Sequence, residues 1–162
     1  MKKQLNEMTT SLFDEQVHLT GVVEYGISWE DMLYGRVAIP PEGARFDMSF
    51  EGEIKGDLLA GKVKGIDYLE VRADGRFMLT IYATIVTHDG ETIALYEEGI
   101  MDPKPGASIG NLALNLKFTT HSPKYRWLNK TNGWGLAQVF FHEGRVSVTT
   151  FTHEPILDFQ LN

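Results

Sequence analysis

The sequence predicts an all-β fold, a single closed antiparallel β-barrel of about eight strands or slightly more, with little helix. Three observations carry this. Apolar and polar residues alternate with period two in run after run, the pattern of a strand with one face buried. Asp-Gly pairs of the kind that close hairpins stand between the runs. Helical periodicity is scarce.

Taken in chain order, residues 3–13 place Leu5, Met8 and Leu12 at helical spacing, so residues 1–14 read as a loosely packed N-terminal arm or short helix. Val17, Leu19 and Val23 alternate with His18, Thr20 and Glu24 in an early strand, and Phe46, Met48, Phe50 and Ile54 alternate with Arg45, Asp47, Ser49, Glu51 and Glu53 in the next. Lys55-Gly56 is a weak turn signal; Asp74-Gly75 and Asp89-Gly90 are strong ones, suited to the positive φ angles of tight primed turns. They divide 66–72, 76–88 and 91–101 into an antiparallel meander. Pro103, Pro105, Gly106 and Gly110 mark 102–110 as a long surface loop. Leu112, Leu114, Leu116 and Phe118 form a further apolar face, 124–130 suits a short helical turn, and 134–142 pairs with 145–153 across Glu143-Gly144. No linker or repeat interrupts the pattern, so residues 1–162 read as one domain.

Composition narrows the function classes. Hydrophobic residues make up 43% and charged residues 23% of the 162, an ordinary globular balance. Fifteen Lys and Arg against twenty-two Asp and Glu give a net charge of -7, and the cations are scattered. Such a field repels phosphates, so nucleic acid and anionic membranes are not expected partners. The absence of cysteine removes disulfides, thiolate metal sites and Cys nucleophiles. Met1-Lys2-Lys3 is not followed by the apolar stretch of a signal peptide, and a cytoplasmic protein is expected.

The chemical candidates are few. Gly106-Ala107-Ser108-Ile109-Gly110 spells a nucleophile elbow, but a proline-rich loop precedes the serine and a strand follows, the reverse of the strand-to-helix turn that motif needs. His18, His88, His121, His142 and His153 show no close metal-ligand spacing, so neither a metal nor a cofactor is expected. Among the carboxylates, Asp67 in an otherwise apolar strand is the preferred buried acid, with a backbone-bonding loop role as its alternative. Glu97 and Glu98 are adjacent on one strand, so one of them faces inward. Tyr82, Tyr96, Tyr125, Trp127 and Trp134 offer aromatic surface with polar tips, suited to a pocket or to core packing.

Taken together, Gly43-Ala44-Arg45, Phe50-Glu51-Gly52, Gly61-Lys62-Val63, Ile66-Asp67-Tyr68, Asp74-Gly75, Thr87-His88-Asp89-Gly90 and Tyr125-Arg126-Trp127-Leu128-Asn129 resemble the DUF3237 (UPF0311) family from about residue 12 to residue 153. The resemblance implies an antiparallel barrel similar to that of allene oxide cyclases and no established general activity. The family pattern often has an Asp and an Arg where Thr80 and Tyr82 stand here, and Trp where Tyr68 follows Asp67.

The expected function is a barrel that binds a small molecule, with cofactor-free isomerase, cyclase or hydratase chemistry if it is an enzyme. In that reading Asp67 is the catalytic acid or base, Tyr82 and Glu98 orient the ligand, and Trp127 and Trp134 wall it. The alternative is a non-catalytic interaction or scaffold protein with a filled barrel and a homodimer contact on its outer sheet. An interior void lined by at least two of Asp67, Tyr82 and Glu98 separates the first from the second.

Overall fold

The computed structural model describes residues 9–104 and 106–153. Eight strands, β1 (Thr9–Glu24), β2 (Ala44–Lys55), β3 (Gly61–Val71), β4 (Phe77–Thr87), β5 (Thr92–Met101), β6 (Ile109–Thr119), β7 (Asn132–Phe140) and β8 (Arg145–His153), pair in sequence order, and β8 pairs with β1. Every pairing is antiparallel, so the sheet closes as an up-and-down barrel. The helices among the described residues are α1 (Trp29–Leu33) and a 3-10 turn at Arg126–Lys130. Neither is long and apolar enough to cross a membrane.

The alternation sets which way each strand faces. On β4, Phe77, Leu79, Ile81, Ala83 and Ile85 are buried in the interior, while Tyr82 is 58% exposed on the outside. That answers which face of 76–88 looks inward: burying the apolar row stabilises by roughly 25 cal/mol per Å2, which a polar-lined interior would forgo. The same parity places Phe46, Met48, Phe50 and Ile54 of β2 and Leu112, Leu114, Leu116 and Phe118 of β6 inside.

The Asp-Gly turns close hairpins, but not as primed two-residue turns. Only the glycines take positive φ, 90° at Gly75 and 87° at Gly90. Gly75 N–H donates to the Arg72 carbonyl and Arg72 N–H to the Arg76 carbonyl, and Thr87, Gly90 and Glu91 repeat the pattern. These are three-residue loops ending on one left-handed residue, the glycine-bulge hairpin.

The helix expected within 3–13 is absent from its described part: residues 9–13 are strand, paired with β8, and residues 1–8 lie outside the described residues. Far from being a loose arm, this stretch buries Leu12 and Phe13. A bulge between Ser11 and Phe13 shifts the register against β8, and the buried Thr150 hydroxyl spans it, accepting from Phe13 N–H at 3.1 Å and donating to the Phe13 carbonyl at 2.7 Å. A second shift against β2 lies between Leu19 and Gly21. Beyond it the expected alternation fails, and Val22 and Val23 are exposed.

The interior is filled at one end and hollow at the other. Around the 56–60 loop, the 88–91 turn and the 120–131 connection, Phe13, Ile54, Leu59, Ile85, Ile93, Leu116 and Leu128 pack without access to solvent. At the opposite end α1 lies over the mouth, with Trp29 edge-on to Phe46 at 5.1 Å. Ser28 caps α1 through a hydrogen bond from Asp31 N–H, and the Tyr34 hydroxyl reaches His142 Nδ1 on the β7–β8 turn at 2.8 Å.

Strand crossing is tightest where β1 passes β2. A Cβ on Gly52 would collide with the Gln16 carbonyl oxygen, a backbone atom that cannot swing aside. Gly52→Ala is expected to lose about 3 kcal/mol of stability in chemical denaturation, the upper range for overpacking.

Candidate functional site

The hollow end encloses a cavity of about 90 Å3. Its walls are almost wholly apolar, with Val17, Met48, Leu79, Ile81, Leu114 and Val148 among them, and Trp29 roofs it. Three acids interrupt this lining: Glu15, Asp67 and Glu97. They are 2%, 8% and 2% exposed. Among the described residues the lining contains no Lys, Arg or His.

Strand order converges them. Asp67 pairs across from Ile81 on β4, and Ile81 from Glu97 on β5, so the two acids flank Ile81 with backbones about 10 Å apart, two strand spacings. Glu15 is on β1, four strands from β5 in either direction around the ring, and faces Glu97 across the interior. Asp67 Oδ1 accepts from Thr80 N–H at 3.1 Å. Glu15 Oε2 and Glu97 Oε1 are buried without a hydrogen-bond partner among the described residues.

Burial of this kind disfavours a charged carboxylate. It pushes Glu15 up to about 7. Asp67 is pushed to about 7 as well, chiefly by burial, with the Thr80 N–H opposing and the Asp47 charge adding. Burial raises Glu97 well above the usual range, reinforced by Glu15 and Asp67. Glu15 and Asp67 are therefore poised to exchange protons near neutrality, a condition suited to general acid–base work.

The other expected site residues are elsewhere. Glu98 is exposed on the outer face of β5, where its Oε1 accepts from the Tyr96 hydroxyl. Tyr82 stands beside Tyr96 outside, ring centres 5.1 Å apart. Trp127 sits in the 3-10 turn at the filled end, and Trp134 faces outward against Phe151 and His153. None of the four lines the cavity, so of Asp67, Tyr82 and Glu98 only Asp67 is inside and the two-residue criterion is not met. A void is nonetheless present, with Glu15 and Glu97 in the inward places expected for Tyr82 and Glu98, so the polar lining differs from the expected one while the interior is not filled. The physical reason is parity: on β4 and β5 the odd-numbered residues face in, which excludes Tyr82 and Glu98 and admits Glu97. Glu15 shares the parity of Phe13 and Val17 and was open to the same reasoning, whereas Trp29 arrives on a helix the alternation does not announce.

Among the described residues no group of three or more His, Asp or Glu is placed to hold a metal ion. His18 lies beside Glu51 and His142 against Tyr34. Ser108 is in the loop leading into β6, as the failed elbow context requires, and its carbonyl accepts from Phe141 N–H.

A family model described as "Protein of unknown function (DUF3237)" matches residues 35–152. The chain belongs to the DUF3237 family. Three solved structures share the fold of this DUF3237 chain. A β-barrel-like protein of Acinetobacter baumannii superposes with a TM-score of 0.72 at 23% identity, covering 90% of this chain and 95% of that one. A protein of unknown function from Clostridium acetobutylicum gives 0.73 at 21%, covering 90% and 98%. An enzyme from Penicillium herquei gives 0.62 at 20%, covering 91% and 96%. No curated protein matches the chain.

Several residues that carry the DUF3237 resemblance hold turns and connections in place. Asp89 Oδ1 accepts from the Thr87 and Tyr125 hydroxyls at 2.6 and 2.9 Å and Oδ2 pairs with Lys124, tying the β4–β5 turn to the β6–β7 connection. Asn129 holds Thr120 through both its backbone N–H and carbonyl. Asp74 is held down to about 2 by Arg76. Thr80, Tyr82 and Tyr68, the positions departing from the family pattern, do not line the cavity.

The buried acids make a sign prediction. Folded Glu15 and Asp67 keep a proton to about pH 7, while unfolded they lose it near 4.5 and 3.8. Between those values the native state binds more protons, so stability falls as pH rises. The melting temperature should drop from pH 5 to pH 8, and Asp67→Asn should flatten the slope by on the order of 3 kcal/mol across that window. A profile unchanged in the variant contradicts the burial argument.

Proposed function

We propose that the barrel binds a small, largely apolar organic molecule in this cavity, with Asp67 as proton donor and acceptor of a cofactor-free isomerisation, cyclisation or hydration. One observation carries the reading: a cavity at the mouth of the barrel is apolar except for buried carboxyl groups. Apolar walls with a few converging polar groups are the usual make-up of a small-molecule site. At about 90 Å3 the space is smaller than the roughly 150 Å3 engineered cavity that admits benzene, so about six non-hydrogen atoms, the size of benzene, is the upper limit for a ligand. Because Thr80 N–H occupies Oδ1, the Asp67 proton belongs on Oδ2, and the same group takes it back once it has been delivered. The Penicillium herquei protein is an enzyme on this fold, which is consistent with catalysis, but the reading rests on the cavity itself.

The test is deuterium exchange at the α-carbons of cyclopentanone in D2O, followed by NMR. Saturable acceleration is expected, falling about 100-fold in Asp67→Asn, the low end for loss of a general acid–base group. Equal rates in the two proteins would remove Asp67 from the chemistry.

The outer sheet favours a second, compatible function for another surface. Met78, Ile100, Ala113 and Leu136 occupy one row across β4 to β7, an uncharged strip in a chain of net charge -7. Leu136 is 63% exposed. A contiguous apolar strip on an acidic surface suits contact with a second copy, since it adds no like-charge repulsion. Sedimentation velocity should find a dimer, with Leu136→Lys raising the dissociation constant at least tenfold; a monomeric wild-type chain rejects the contact.

A further inference from the structure

The cavity has a feature that a generic apolar pocket lacks. Three carboxyl groups face it from β1, β3 and β5, and no titratable or charged side chain faces it from β2, β4, β6, β7, β8 or α1. An anionic ligand would enter against this field and leave its own charge unpaired in an apolar space, which costs several kcal/mol per ion. A neutral ligand leaves the interaction among the acids unrelieved. A protonated amine supplies the missing countercharge and N–H donors for acceptors that have none.

From this geometry we infer that the ligand of the cavity is a small lipophilic amine, its ammonium group held between Glu15 Oε2 and Glu97 Oε1 and its hydrocarbon part against Leu79, Ile81 and Leu114. Both acceptors are on side chains 2% exposed, where a carboxyl oxygen left without a protein donor is costly. An ammonium group has three donors, enough for both glutamates at once. The placement leaves Asp67, already fixed by Thr80 N–H, free to face the carbon skeleton, so the inference rests on the proposed function and deepens it.

Proton linkage adds a signature. An ammonium ion favours ionised carboxylates, so its binding expels protons from Glu15 and Glu97 wherever these are protonated in the free protein. Amine affinity then rises with pH from 6 to 8, a range in which a simple alkylamine stays cationic.

The experiment compares cyclopentylamine, cyclopentanol and cyclopropanecarboxylate, equal in non-hydrogen atoms and different in charge, by thermal shift and titration calorimetry at pH 6 and pH 8. The amine is expected to bind at least tenfold tighter than the alcohol at pH 8, with proton release seen as a buffer-dependent heat, and the carboxylate not at all. Glu15→Gln with Glu97→Gln, nearly isosteric and checked for folding by circular dichroism, should weaken the amine at least tenfold and the alcohol far less. Alcohol binding equal to or tighter than that of the amine overturns the amine assignment and leaves the small-molecule cavity standing. If neither amine nor alcohol binds, both readings fall.

Discussion

Closure of the sheet by the pairing of β1 with β8 is the constraint on which everything else depends. An open eight-stranded sheet would present two edges and a single buried face; closure removes the edges and turns every inward side chain toward a common axis. It is also what brings Glu15 near Glu97. The two are 82 positions apart in the sequence by number, 15 against 97, and share no strand pairing, yet they line one cavity because their strands are opposite each other in the ring.

Closure divides the interior into halves with different tasks. The filled end is held by apolar packing and by the Asp89–Tyr125–Lys124 and Asn129–Thr120 contacts, which keep the long β6–β7 connection against the barrel floor. That anchored end tolerates a hollow, acid-bearing end. Burying three carboxyl groups with no cation facing them among the described residues opposes folding, and the raised proton affinity of all three is the trace that this opposition leaves. The buried acids are thus gathered at one mouth of the barrel, away from the packed floor.

Most of the fold was legible because strand alternation and hairpin glycines are local signals. Phe77 to Ile85 on one face and Thr80 to Thr84 on the other leave one economical orientation, and the Asp74-Gly75 and Asp89-Gly90 positions fix where the chain reverses. The site was legible in part. Asp67 stood out as an acid in an apolar strand, and Glu97 was one of two adjacent candidates that the parity of Ile93 and Leu95 would have resolved. Glu15 has the inward parity of Val17 and Leu19, but the arm or helix expected over residues 1–14 ends immediately before it, so the length of strand that buries it was not evident. Tyr82, Glu98, Trp127 and Trp134 drew attention by residue type, but type says nothing of which face a strand presents, and all four are outside the cavity.

The two register shifts of β1 have a consequence for that hidden acid. They isolate residues 13–19 as a stretch with its own phase, in which Phe13, Glu15, Val17 and Leu19 point inward together. A slip of one residue would turn an uninterrupted strand inside out along its whole length. Here the bulges each take up one unpaired residue, Leu12 against β8 and Thr20 against β2, so the phase of either arm of β1 is separate from that of the stretch carrying Glu15. The strand behaves as three short rulers, and the middle one alone keeps the acid aimed at the cavity.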